Sequence, residues 1–324
     1  LPLASVIIPA RNVEKTVGAT LESLLKQNFK DYEVIVVNDH STDTTKEVCT
    51  RYNVKVVDSI GRGVNAARNA GVKEAKGDII AFIDGDAVAP QDWLSKLVNS
   101  LTSSGADIVF GGVKALNSDK LVSRYVESSI LGLMPNFRSR KLVYNRQVST
   151  VVAGCNMGFR RRVWEEVGFF DESYLLYYDE LDFEAKALSK GFKMLLEPNL
   201  VVYHRNVERL VDLLRRAWRQ TRALKTFSVK NPDHPIVLII RMLCLLVSLC
   251  LILVMGSIVY YLFYVVNTVF TFDLAMLALL YVGLTFYYLA RNGRLVDSLI
   301  FPFLDFIVGL TMYFRVLMNY LSKA

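Results

Sequence analysis

The sequence predicts an α/β domain on a mostly parallel, doubly wound sheet, followed by an interfacial amphipathic helix and a C-terminal α-helical transmembrane region. Three observations carry this. Short β-branched runs alternate with helical spacings through the first hundred residues, as strands joined by crossover helices do. Arginines crowd residues 207–230 around one tryptophan. After residue 235 charge almost vanishes, leaving five Lys/Arg and three Asp/Glu.

The elements follow in order. Ala4–Ile8 is a β-branched run closed by Pro9. Val17, Leu21, Leu24 and Leu25 give Thr16–Gln27 a helical period. Tyr32–Val37 is a second buried strand, ending on the turn residues Asn38, Asp39, His40 and Ser41, with a helix then reaching about Tyr52. Val54–Val57 is a third strand, Asn65–Lys76 a helix, and Asp78–Ile83 a fourth strand ending at Asp84-Gly85-Asp86. Ligands of parallel sheets bind beyond the carboxyl ends of the strands, so Asp39 and the Asp84/Asp86 pair are expected on one rim. Residues 107–113 and 149–160 read as further strands, Tyr178–Lys190 as a helix and Lys193–Tyr203 as the last strand. The expected divisions are 1–205 for the globular domain, 206–235 for an interface helix and 236–324 for a membrane domain of about three helices.

In Val207–Lys230, Val207, Leu210, Val211, Leu214, Trp218 and Leu224 form one stripe, and Arg215, Arg216, Arg219, Arg222 and Lys225 a basic face. A basic amphipathic helix directly before an apolar tail is expected to lie in the membrane interface. Met242–Phe272 carries no charge over 31 residues, about 46 Å at about 1.5 Å per residue, so it must tilt, protrude or bend near Gly256-Ser257. Leu274–Ala290 is a second uncharged stretch. Leu299–Leu321 is a third, broken by Pro302, Asp305 and Arg315; two spans plus an interfacial helix is the alternative count. Arg291 and Arg294 fall in the loop returning to the basic side, and Asp273 marks the opposite loop. The positive-inside bias then makes this an integral cell-membrane protein with its globular domain in the cytoplasm. No signal peptide is read at the start, since Leu3–Pro9 is short and has no basic leader.

Cys49, Cys155, Cys244 and Cys250 form no C-x-x-C and have no histidine cluster beside them, so they read as buried small hydrophobes rather than disulfides or a zinc site. Of the formal net charge of +7, about +5 precedes residue 236, which favours anionic partners in general, whether phosphates, anionic lipid headgroups or nucleic acid, and by itself selects none of them. No nucleic acid partner is expected. A transporter needs ionisable groups facing a cavity between helices, and Asp305 and Arg315 are too few.

Asp84-Gly85-Asp86 follows the apolar run Ile79–Ile83. Two carboxylates at i and i+2 after a buried strand can offer one oxygen to a divalent cation and another to a sugar hydroxyl. Hard cations such as Mg²⁺ or Mn²⁺ take few protein carboxylates and fill their shell with substrate phosphate oxygens. By itself the pair is a common turn feature, and the DELDFE run at 179–184 equally fits a solvated helix N-terminus.

The motifs gain weight together. VIIPARN (6–12), VVNDHSTD (36–43), GRGVNAARNAG (61–71) and AFIDGDAVAPQDWL (81–94) resemble, in order and spacing, the nucleotide-binding half of glycosyltransferase family 2, the GT-A fold. The resemblance implies a nucleotide-diphosphate sugar donor and places Pro9, Asp39, Arg68 and Asp84 on the donor side, with Asp39 at the nucleobase and Arg68 by the diphosphate. It puts Asp86 on the metal and His204 near the metal and diphosphate. Asn38 stands where many members carry Asp. GCNMGFRRRVWEEVGFFDE (154–172) is similar to the acceptor-side segment, whose aromatic-rich loop covers the donor sugar. YYDELDF (177–183) is similar to E-D-x-D-L, whose second acid is usually the general base. Glu180 inherits that role, and Asp179 stays open because the order of the acids is swapped. LRRAW (214–218) is similar to the Q-x-x-R-W of membrane synthases of the cellulose-synthase type, which puts Trp218, Arg215 and Arg216 at the acceptor. The missing glutamine, and the missing arginine before the tryptophan, argue against processive synthesis.

The implied reaction is inverting transfer of a single sugar, with GDP-mannose the first choice of donor and UDP-sugars the rest. The acceptor is a hydroxyl of a lipid-linked glycan or glycolipid at the cytoplasmic face, in N-glycan or envelope glycan biosynthesis. Direct glycosylation of a polyprenyl phosphate, as in dolichyl-phosphate mannose synthases, needs no base. A silent nucleotide-sugar-binding scaffold is the non-enzymatic alternative.

Overall fold

The structure is a computed structural model that describes the chain except residues 132, 145–150, 175, 265–266 and 322–324, and except the side chains of residues 259–272, 274 and 320–321. The chain divides into two compact units, one of Leu1–Glu127 with Gly132–Glu208, the other of Ser128–Leu131 with Arg209–Ala324. The boundary expected at 205 lies three residues later, and the capture of Ser128–Leu131 by the second unit was not foreseen.

The first unit opens with β1 (Ala4–Ala10), α1 (Val17–Leu25), β2 (Tyr32–Asn38), α2 (Thr45–Cys49), β3 (Lys55–Asp58), α3 (Val64–Glu74) and β4 (Ile79–Phe82). β1 does not close at Pro9 but continues to Ala10. Ile83 N–H donates to Ile7 O, so residue 7, and residue 9 two positions on, face β4. β4 has ended there, and the missing proline N–H leaves no ladder bond unmade. The helix expected to reach Tyr52 spans only Thr45–Cys49, and its start is delayed to Thr45 because Asp43, Thr44 and Thr45 are tied by hydrogen bonds among themselves and to Val13 and Glu14. β5 (Ala87–Val88), α4 (Trp93–Ser103), β6 (Ile108–Ala115), α5 (Leu121–Ser128), β7 (Lys141–Val143), β8 (Met157–Arg160), α6 (Arg161–Val167), α7 (Asp179–Ser189) and β9 (Met194–His204) complete the unit. The strand expected over 149–160 is confined to Met157–Arg160 and follows a 3₁₀ turn at Gly154–Asn156; residues 149–150 lie outside the described residues.

Among the described residues nine strands form one mixed sheet in the order β3-β2-β1-β4-β8-β6-β9-β5, with β7 beside β9. β1 to β4 are mutually parallel, as the alternating pattern predicts. β8 runs antiparallel to both β4 and β6, and β6 runs parallel to β9. β6 and β9 therefore point the same way as β1–β4. Asn156 fixes the crossing, since its amide donates to Gly112 O and Leu200 O at 2.8 and 2.9 Å and accepts from the Trp93 indole at 2.9 Å. Phe82, Phe159, Phe170 and Phe183 pack with centroids 4.4–6.3 Å apart in the core, within the range of favourable aromatic pairs.

The second unit contains α8 (Leu210–Lys230), α9 (Pro235–Tyr264), α10 (Asn267–Asn292) and α11 (Leu295–Leu321). Among the described residues two helices are long and apolar enough to cross a membrane, Pro235–Ile258 and Leu295–Asn319. The span expected at Leu274–Ala290 falls within α10, partly outside the described side chains. α11 is not broken at Pro302 but runs through it. Cys250 is exposed on α9 rather than buried, while Cys49 and Cys155 are buried as expected. The carboxylate of Asp305 is buried and accepts from Ser129 Oγ at 2.8 Å and from the Tyr288 hydroxyl at 2.5 Å. Ile130 N–H donates to the same Tyr288 oxygen at 3.0 Å, which explains why Ser128–Leu131 belongs to this unit.

Candidate functional site

Strand direction brings the first cluster together. β9 is parallel to β4, so its last residue, His204, ends on the rim where the Asp84–Asp86 turn begins. Ala87, the next residue after that turn, pairs directly with His204. The turn is pinned by the Thr16 hydroxyl, which donates to Gly85 O at 2.9 Å, and by Arg205 N–H, which donates to Asp86 O at 3.1 Å. His204 Nε2 lies 3.1 Å from Asp86 Oδ1 and 3.8 Å from Asp84 Oδ2.

These three residues can each present one ligand atom with all three atoms within 4.8 Å of one another. Two carboxylates and an imidazole are a hard oxygen and nitrogen set, which fits Mn²⁺ or Mg²⁺. Asp84, placed on the donor side from the sequence, thus joins Asp86 and His204. Burial raises the Asp84 pKa, Asp86 and Glu180 reinforce the rise, and Arg68 and His204 oppose it. The buried Cys155 thiol is pushed up by burial and by the same carboxylates. Negative charge accumulates here, which a divalent cation would relieve.

Asp39 follows β2 on the same rim. Its backbone N–H donates to Ala10 O at 2.8 Å, and both carboxylate oxygens accept from Gly63 N–H at 3.0 and 3.1 Å. Gly63 has φ 98°, a conformation that a side chain disfavours, so glycine is needed where the loop turns onto Asp39. Arg11 Nη1 stands 3.6 Å from Asp39 Oδ2, with the arginine half exposed and the aspartate buried. Pro9 lies two residues before Arg11, half-buried near the carboxyl end of β1.

The third group sits at the start of α7. Tyr177 and Tyr178 have φ 66° and 65°, two consecutive left-handed non-glycine residues directly before Asp179 and Glu180. Such conformations are costly and persist only where the surroundings hold them. α3 anchors the segment that precedes them: Asn65 donates to Asp171 O and Tyr174 O at 3.0 and 3.2 Å, and Asn69 exchanges hydrogen bonds with Phe170 at 2.9 Å. Between them Arg68 is 3 % exposed, ion-paired with Asp179, 3.5 Å from Glu180, and centred over the rings of Phe82 and Phe170. Arg68, expected beside the diphosphate, is therefore taken up by the two acids and two aromatic faces. Burial and the neighbouring Glu180 raise the Asp179 pKa, and Arg68 opposes them.

Glu180 Oε1 accepts from Gly154 N–H at 2.9 Å. A methyl group at 154 would stand 2.1 Å from Arg68 Nη2 and 2.9 Å from that Glu180 oxygen. Arg68, the nearer neighbour, yields only at a cost, because moving it unpairs a buried cation. Gly154→Ala is expected to lower nucleotide release from a sugar donor by about 10²-fold, the usual scale for misplacing a catalytic group by about 1 Å. Rates within twofold of the parent would show that the glycine is not required. Sequence reading missed this contact, and the only available signal was a glycine preceding Cys155-Asn156.

In the second unit Trp218 is half-buried, with the Arg315 guanidinium 5.0 Å from its ring centroid. Arg215 is exposed and reaches Asp212 at 3.3 Å, and Arg216 is half-buried. The expected acceptor floor is thus a tryptophan already covered on one side by a cation.

Comparison with known proteins gives concordant findings. The sequence model described as Glycosyl transferase family 2 matches residues 5–168. Glycosyltransferase AglE of Haloferax volcanii is 28 % identical over 214 residues, 63 % of this chain and 67 % of its own length. The Escherichia coli UDP-Glc:alpha-D-GlcNAc-diphosphoundecaprenol beta-1,3-glucosyltransferase WfgD is 26 % identical over 157 residues, 47 % of this chain and 58 % of its own length. The chain therefore spans between about half and two thirds of these relatives. Among solved structures, the mannosyltransferase PcManGT from Pyrobaculum calidifontis, in complex with GDP-Man and Mn²⁺, shares the fold at TM-score 0.59 and 17 % identity, covering 100 % of this chain and 88 % of its own. S. aureus TarS 1-349 shares it at TM-score 0.55 and 18 % identity, covering 99 % and 90 %.

Proposed function

The chain belongs to Glycosyl transferase family 2 and is a glycosyltransferase, and from that premise we propose that it transfers one sugar, with inversion, from a nucleotide-diphosphate sugar to a hydroxyl of a lipid-linked glycan at the cytoplasmic membrane face. The observation that carries this is the meeting of Asp84, Asp86 and His204 within 4.8 Å, with Glu180 3.5 Å from Arg68, whose guanidinium lies over the ring of Phe82, two residues before Asp84. Asp84, Asp86 and His204 would hold a divalent cation, which when bound neutralises the leaving diphosphate. Asp39 and the turn after β1, with Pro9, form the donor side.

Glu180 is the general base. An acceptor hydroxyl must shed its proton as its oxygen attacks the anomeric carbon, and a carboxylate must reach it. The Glu180 side chain is 16 % exposed and that of Asp179 is 2 % exposed against Arg68. Reach precedes basicity in such a choice, so the raised pKa of Asp179 does not make it the base. Asp179 and Arg68 position Glu180. A base argues against direct transfer to a polyprenyl phosphate, whose nucleophile is already anionic. Trp218, Arg215 and Arg216 serve the acceptor at the membrane, and the bias of Arg291 and Arg294 supports a cytoplasmic catalytic domain. The first donor to test is GDP-mannose, the ligand of the Pyrobaculum neighbour. UDP-glucose, the donor in the name of WfgD, is the competitor.

The test is a screen of GDP-mannose, UDP-glucose and UDP-GlcNAc against extracted membrane lipids, with product masses measured. The expected result is a lipid-linked glycan heavier by one sugar residue, formed only when Mn²⁺ or Mg²⁺ is supplied. A ladder of products would mean processive synthesis, and absence of nucleotide release from every donor would mean a silent scaffold.

A further inference from the structure

Within the second unit three helix faces meet at a cleft of about 40 Å³. α8 contributes Leu224, Lys225 and Ser228, α9 contributes Val237 and Arg241, and α11 contributes Val316 and Asn319. The i, i+3 and i+4 spacings on each helix bring these residues onto one face. Leu224, Val237 and Val316 are 6 %, 2 % and 7 % exposed and form an apolar floor. Lys225, Arg241, Ser228 and Asn319 form the rim, which carries two cations. Asn319 pins the wall by donating to Thr221 O at 3.0 Å, and Arg241 leans toward Pro232 O at 3.5 Å.

Depth along α9 says what such a rim meets. The apolar stretch Pro235–Ile258 has 24 residues, about 36 Å of helix against a hydrocarbon core of about 30 Å. Arg241 is six residues from the start of that stretch, about 9 Å in, within snorkelling reach of the headgroup layer. On either side of it along α9, Leu238, Met242, Leu245 and Leu246 are all at least half exposed. That surface suits acyl chains. A cationic rim over an apolar floor, continuous with an exposed apolar helix face, matches a molecule with a phosphate head and hydrocarbon tails.

We propose that the Lys225–Arg241 cleft is a binding site for the phosphate headgroup of an anionic membrane phospholipid, separate from the sugar-transfer site. The chemistry recognised is a phosphate monoanion bracketed by an ammonium and a guanidinium, with the tails lying along α9. It rests on the reading of α9 and α11 as membrane spans.

The experiment uses the full chain, incorporated into dioleoylphosphatidylcholine vesicles or purified in detergent. Melting is followed on adding dioleoylphosphatidylglycerol, dioleoylphosphatidylcholine or inorganic phosphate. Phosphatidylglycerol is expected to raise the melting temperature in a saturable way, and the other two are not. Lys225→Gln with Arg241→Gln should weaken that saturation at least about tenfold, since both cations that meet the phosphate are lost. Arg219→Gln with Arg222→Gln, which removes the same charge from α8 alongside the cleft, should leave it within about twofold. Three results overturn the site: equal shifts with both lipids, an effect of inorganic phosphate matching that of phosphatidylglycerol, or equal losses in the two double variants. A chain that does not enter phosphatidylcholine vesicles at all overturns the membrane reading beneath it.

Discussion

Asp86→Ala is expected to lower sugar transfer by about 10²–10³-fold and to abolish its dependence on added Mn²⁺ or Mg²⁺. Asp86 supplies the oxygen nearest His204, at 3.1 Å. Metal-ion stabilisation of a leaving group contributes several kcal/mol, and each 1.36 kcal/mol is tenfold in rate. The loss should therefore far exceed what an altered surface turn would give. The side chain is one third exposed, so its removal leaves no buried cavity and the fold should persist. Rates are measured as nucleotide release across a cation titration. A variant that keeps the parent's cation response would show that Asp86 is not a ligand.

Glu180→Gln is expected to lower transfer by about 10²–10⁴-fold, the span of general base catalysis, with donor affinity unchanged. Glutamine keeps an oxygen for Gly154 N–H, 2.9 Å from the present carboxylate, so the local geometry survives and only the proton acceptor is lost. The companion change separates base from scaffold. Asp179→Asn leaves Arg68 as a buried cation with a weaker partner, and breaking a buried pair typically costs about 3–5 kcal/mol. It should lower the urea midpoint clearly, whereas Glu180→Gln should not. If Asp179→Asn stops transfer without loss of stability and Glu180→Gln does not stop it, Asp179 is the base.

Much of this arrangement is legible in the sequence. β1, β2 and β4 are apolar runs closed by turn residues, and in parallel strands their carboxyl ends share a rim. That is why Asp39, Asp84 and Asp86 could be grouped. The two helices apolar enough to cross a membrane, Pro235–Ile258 and Leu295–Asn319, were marked by missing charge. What stayed hidden depends on partners far apart in sequence. Arg68 reads as an open cation until Asp179, 111 positions away, is seen against it. Gly154 needs a bare backbone only because Arg68 and Glu180 crowd its Cα. The antiparallel turn of β8 brings the Gly154–Asn156 segment to the rim, and no local pattern announces strand direction. Pro302 looked like a break, yet α11 runs through it. Ser128–Leu131 joins the second unit through Asp305 and Tyr288, a capture written in no periodicity.

One titration bears most directly on the cation-dependent donor site. GDP and UDP are titrated calorimetrically into the full chain, once with Mn²⁺ and once with the cation chelated. At least one nucleotide should bind at least about tenfold more tightly with Mn²⁺ present, as expected if Asp84, Asp86 and His204 hold a cation that offsets the diphosphate charge. Equal affinity with and without the cation, for every nucleotide that binds, would contradict the assignment.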